Sequence, residues 1–201
     1  MELPVDPDAV ERNARRADYK DGLLELFAAV LMATLAGGWA LQPEMVGLLT
    51  LPFIFFGWKA ITALKEKITY PRIGYSGDNP AREQTNAKGM LGFFALAIAI
   101  VVVVILVFGE ASLANELRRS APLFSGIAFA AGFRYLAEKS GMARHALLAA
   151  ASVVTGVVVW WTNDGDDYSA MPIFLLVMAA ILATMGAASL AAFLRKNPTH
   201  E

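Results

Sequence analysis

The sequence predicts an all-α polytopic membrane protein: six transmembrane helices in one bundle, with both termini cytoplasmic. Three observations carry that reading. First, the 201-residue chain is 57% hydrophobic, with a mean hydropathy of +0.50, above the roughly 45–50% apolar content of soluble domains. Second, its charges crowd residues 2–25, 59–88 and 110–144 and leave long uncharged runs between them. A soluble core would interleave polar and apolar faces instead. Third, the lysines and arginines sort to one side of the implied membrane.

A helix needs about 20 residues to cross a hydrocarbon layer of ~30 Å. Six segments qualify: 23–41, 45–64, 90–108, 121–137, 142–161 and 171–194. Together they make one membrane domain, 23–194. A cytoplasmic segment, 1–22, precedes it and a cytoplasmic tail, 195–201, follows. In the first segment Asp8 and Glu11 have capping-box spacing, which predicts a short helix over Ala9–Lys20. The run Leu26–Pro43 is uncharged and exceeds the roughly 7–15 residues of a signal-peptide core, so it is expected to remain as an anchor. The polar stretches 65–89 and 109–120 are expected to be loops.

Orientation follows from short-loop cations. Of the 17 lysines and arginines, one set of segments and adjoining helix ends holds Arg12, Arg15, Arg16, Lys20, Lys59, Lys65, Lys67, Arg72, Arg82, Lys88, Arg134, Lys139, Arg144, Arg195 and Lys196. The opposite set holds Arg118 and Arg119 alone. Six spans with both ends inside respect that bias. Trp39, Trp160 and Trp161 then fall at the outer interface and Trp58 near the inner one. The outer loops carry Glu44, Glu110, Glu116, Asp164, Asp166 and Asp167.

Lys59 and Arg134 are the cations nearest the membrane interior. Both lie toward the cytoplasmic end, where long cations reach the headgroups. With Arg72, Tyr70 and Tyr75 they are the candidate contacts to an anion or lipid headgroup. No acid is expected at mid-depth to pair with them, which argues against proton-coupled transport. Pro52 and Gly57 are candidate kink positions in the second span. Ala179, Ala183, Ala187 and Ala191 form a small-residue ridge on the last span, and Gly126 and Gly132 do the same on the fourth. Such surfaces let helices pack closely in lipid. The hydroxyls within the spans are expected to bond preceding carbonyls of their own helices.

The loop 65–89 opens with Thr69–Tyr75, TYPRIGY. Pro71 restrains Tyr70 toward an extended shape, and Gly74 frees the exit, so a defined turn is expected with Arg72 between two headgroup-level tyrosines. The string Tyr-Pro-Arg-x-Gly-Tyr resembles one in uncharacterised bacterial multi-pass membrane proteins, a resemblance that implies no activity.

The chain has no cysteine, which excludes disulfides and thiolate chemistry. With two histidines and no glycine-rich phosphate loop or nucleophile elbow, no catalytic constellation, cofactor or metal site is expected. The expected partners are the lipid bilayer and either a second copy or a larger membrane complex, not nucleic acid. The leading functional expectation is a channel or facilitator protomer for a small solute or ion in a prokaryotic plasma membrane. Its rival is a non-catalytic accessory or regulatory subunit. A polar interior would favour the first and a dry one the second.

Overall fold

The computed structural model describes residues 19–41, 46–73, 111–163 and 169–198, and among the described residues all regular structure is helical. The helices are α1 (Leu23–Leu41), α2 (Val46–Ile68), α3 (Tyr70–Ile73), α4 (Ala111–Ser140), α5 (Ala143–Thr162) and α6 (Ala170–Lys196). Residues 1–75 and 119–201 form one compact unit. Residues 76–118 form a second, of which the described part is the helical backbone of Ala111–Arg118. The expected span 90–108, most of the helix 9–20, most of the loop 65–89 and the acidic outer turn beyond Asn163 lie outside the described residues.

Among the described residues three helices, α1, α5 and α6, are long and apolar enough to cross a membrane, where six spans were expected along the whole chain. The expected second and fourth spans are helices, but charges dilute both. α2 runs past residue 64 through Lys65, Glu66 and Lys67. α4 begins at Ala111, so most of the expected outer loop 109–120 is helical. That stretch, ASLANELRRS, holds neither glycine nor proline and is rich in strong helix formers, whose propensity carries the helix outward. Tyr70 also departs from expectation: Tyr70–Ile73 is a helical turn rather than extended. The Thr69 carbonyl accepts from Arg72 N–H at 3.1 Å and Ile73 N–H at 3.2 Å. Pro71 fits near the start of such a turn because its missing N–H would be unpaired there anyway.

α1 and α5 run in one direction, and α2, α4 and α6 in the other. Gly22, just before α1, abuts Gly186, ten residues before the end of α6, and Gly57 of α2 abuts Phe27 of α1. Gly126 of α4 abuts Ser152 and Gly156 of α5. Near the start of α6, Met171 Sδ accepts from Ser125 Oγ at 3.7 Å, and Phe129 stacks on Phe174 at 6.0 Å. The starts of α1 and α5 therefore share one end with the last turns of α2 and α4, while α6 passes that level and continues to Lys196.

Helical periodicity sets the buried faces. α1 contributes Ala29, Met32 and Ala36, α5 contributes Leu148 and Val159, and α6 contributes Phe174, Met178 and Leu182. Three of the span hydroxyls turn to their own helices, as expected: Ser152 donates to Ala149 O, Thr34 to Val30 O and Thr184 to Ala180 O; Ser125 instead donates across to Met171 of α6.

Two of the glycine contacts separate packing from permissive sites. A Cβ on Gly156 would lie 2.7 Å from the Pro122 carbonyl oxygen, whereas one on Gly132 would meet nothing within 4 Å. Gly156→Val is expected to lower stability by about 1–3 kcal/mol through overpacking. Gly132→Ala should leave thermal melting in detergent unchanged or raise it slightly.

Candidate functional site: a buried polar cluster at one end of the helices

While the hydroxyls of Ser152 and Thr155 are buried further along α5, the buried charged side chains of the described residues gather at the end where α1 and α5 begin. There Asp21, Glu25, Thr69, Ser140 and His145 are each no more than 3% exposed. Burial of unpaired polar groups is costly, and local structure supplies the partners.

Asp21 precedes α1, and its Oδ1 accepts the Leu23 N–H at 3.0 Å, a capping bond. Its Oδ2 accepts the Thr69 hydroxyl at 2.7 Å, which ties the end of α2 to the start of α1. Gly22 lies between cap and helix with φ +73°, a conformation that favours glycine. A side chain there would also collide with the Gly186 carbonyl.

The corner between α4 and α5 supplies the other half. Gly141 ends α4 with φ +65°, and its N–H donates to Ala137 O at 2.8 Å. This sharp exit lets Ser140 face His145, five residues on. Ser140 Oγ accepts the Met142 N–H at 3.3 Å and lies 2.7 Å from His145 Nδ1. His145 Nε2 lies 3.1 Å from Glu25 Oε1. An ionised carboxylate only accepts, so Nε2 carries the hydrogen. In the neutral ring Nδ1 then accepts the Ser140 hydroxyl.

Arg144 adds charge to the same carboxylate. Its Nε is 2.9 Å from Glu25 Oε1. The Nε–H is not aimed at that oxygen, so the contact is an ion pair without a hydrogen bond. An Arg144 terminal nitrogen donates to the Tyr19 carbonyl. The Tyr19 ring stands edge-on to His145 at 6.2 Å, and Lys65 Nζ lies 5.6 Å from the centre of that ring. α1, α2 and the α4–α5 corner thus meet through side chains.

In isolation, Ser140, His145 and Glu25 have the residue types of a nucleophile, base and orienting acid. All three are buried, and together they fasten the start of α1 to the α4–α5 corner. Among the described residues no group of three or more His, Cys, Asp or Glu side chains could hold a metal.

The sequence-derived candidates lie elsewhere. Arg72 turns back to donate to the Ile68 carbonyl, Tyr70 is half-buried, and Tyr75 lies outside the described residues. Lys59 is exposed, and Arg134 is exposed and pairs with Glu138 at 3.1 Å within α4. Pro52 sits in an unbroken helix, and Gly57 is buried against Phe27. Ala179 is in the core and Ala183 packs beside it, whereas Ala187 and Ala191 are exposed. Gly126 makes a close helix contact, and Gly132 is open.

Sequence reasoning missed the cluster. The available signal was sidedness: Asp21, Glu25, Thr69, Ser140, Arg144 and His145 all fall at span ends that the cation count assigns to one face. Fold and site define an all-helical protein whose apolar helices suggest a membrane location. Compared with protein-family models, curated proteins and solved structures, the chain matches none.

A buried charge left without its partner is strongly destabilising, whereas apolar replacement of a whole pair is often tolerated. Glu25→Ala is expected to cost about 3–5 kcal/mol. Adding Arg144→Met and His145→Leu to it should recover part of that loss, as read by thermal melts of single and combined variants.

Proposed function

We propose that the protein is a non-catalytic accessory or regulatory subunit of a prokaryotic plasma-membrane complex, spanning the bilayer six times with both termini cytoplasmic. The observation that carries the functional part is the filling of the α1–α5–α6 interface. Leu148, Phe174, Met178 and Leu182 are fully excluded from solvent there. Of the nearby hydroxyls, Ser152 is turned to its own backbone and Ser125 to a sulfur. Such an interface offers a solute no polar lining and suits a rigid scaffold.

Connectivity supports the span count. The chain passes Ile73 at the end where α1 begins. Arg119 lies 21 residues (140 − 119) up α4 from Ser140, or ~32 Å at 1.5 Å per residue, which is toward the opposite end. Between them in the sequence lies the long apolar run 90–108, which its composition and length lead us to read as a further span. With α1, α2, α4, α5 and α6 this makes six crossings.

The channel or facilitator protomer is a second reading, and one observation favours it. Glu25 and His145 lie within the apolar helices α1 and α5, and buried ionisable groups there often mark ion or substrate paths.

Because the chain lacks cysteine, single introduced cysteines report topology directly. Thiols at Ser76 and Thr199 should react with an impermeant reagent only after the cytoplasmic face is opened, and one at Gly165 in intact cells; the reverse pattern would overturn the orientation. Purified protein in liposomes should conduct no ion or small polar solute, and flux abolished by Glu25→Gln would favour the facilitator.

A further inference from the structure

We propose that the end of the molecule bearing the polar cluster carries a cationic collar that binds the headgroups of anionic lipids. Sequence alone shows mixed charge around these helix ends. The fold separates the signs. Asp21 and Glu25 are buried, and their oxygens are taken up by Thr69 and the Leu23 N–H and by His145 and Arg144. Lys20, Lys67, Arg195 and Lys196 remain exposed, with Lys139 half-buried. The exposed acids among the described residues at this end are Glu66 and Glu138, and Glu138 is engaged by Arg134. Among the described residues the outward surface at this end is therefore positive, although the chain's net charge is −1.

A simpler role for these cations is to complement the negative ends of helix dipoles, since α2, α4 and α6 all finish on this side. That role accounts for Lys67, Lys139, Arg195 and Lys196 but not for Lys20, which precedes the N-terminus of α1. Exposed large hydrophobics adjoin these cations: Leu147 near the start of α5, and Leu194 beside Arg195 on the part of α6 that continues past the cluster. Apolar flanks topped by cations match acyl chains topped by phosphate, and clustered cations beside a membrane-spanning helix favour anionic leaflets. The inference rests on the membrane location but on neither functional reading and neither orientation.

The test melts the full-length protein in phosphatidylcholine nanodiscs and in nanodiscs that also contain phosphatidylglycerol, at low and high salt, and in detergent with inorganic phosphate. The parent should melt several degrees higher with phosphatidylglycerol and lose that gain at high salt. Phosphate in detergent should give no shift. A variant carrying Lys20→Gln, Lys67→Gln, Arg195→Gln and Lys196→Gln should keep less than half of the gain. Equal melting of the parent in both lipids would overturn the proposal, as would an undiminished gain in the variant. Variant destabilisation that is the same in both lipids would assign the cations to the dipoles alone. A phosphate shift equal to the lipid gain would point to a soluble anion. If the variant does not fold, the parent's lipid and salt series decides the question by itself.

Discussion

The Glu25 carboxylate is buried, and that constraint organises one end of the described structure. An unpaired carboxylate in apolar surroundings is too costly to persist. Glu25 therefore needs His145 and Arg144 beside it, and these arrive only if α4 and α5 turn sharply at Gly141. Ser140 stabilises that turn and fixes the imidazole from its other side. Asp21 then caps α1 and captures Thr69, which brings in the end of α2. Each link is directional, so a helix that slid or rotated by one position would break several of them.

That directionality matters in a bilayer. Lipid tails are as apolar as the helix faces, so apolar burial does little to choose one helix register over another. The described fold fixes register in two other ways. One is the polar cluster. The other is close backbone approach, at Gly22 against Gly186 and at Gly126 against Gly156, where any side chain would force the helices apart. Large residues such as Phe174 and Met178 fill the space these contacts define. The glycine contacts on α6 and α4 explain why small residues matter there, while the exposed alanines Ala187 and Ala191 show that a small-residue ridge need not be the packed face.

Much of this architecture was legible in the sequence. Hydrophobic runs located α1, α5 and α6 to within two residues at each end, because an uncharged stretch bounded by charges has few other solutions. The start of α4 was not legible as a helix, because its first turns are polar and polarity was read as a loop. Its helix propensity pointed the other way. The Tyr70–Ile73 turn was missed because the restraint that proline places on its predecessor was given more weight than its fitness near a helix start. The polar cluster was hidden for a different reason. Glu25, Ser140 and His145 are 120 residues apart at the extremes and follow no motif, so only the alternation of helix directions brings them together.

The most direct test of the polar cluster as the fastener is the imidazole of His145. The chain has two histidines, so His200→Gln leaves one ring to observe by proton–nitrogen correlation in nitrogen-labelled protein. The account predicts a hydrogen on Nε2 at neutral pH, with slow solvent exchange that accelerates in Glu25→Gln. An imidazole whose Nε2–H exchanges as fast as that of the denatured chain, or one unchanged by Glu25→Gln, would contradict it.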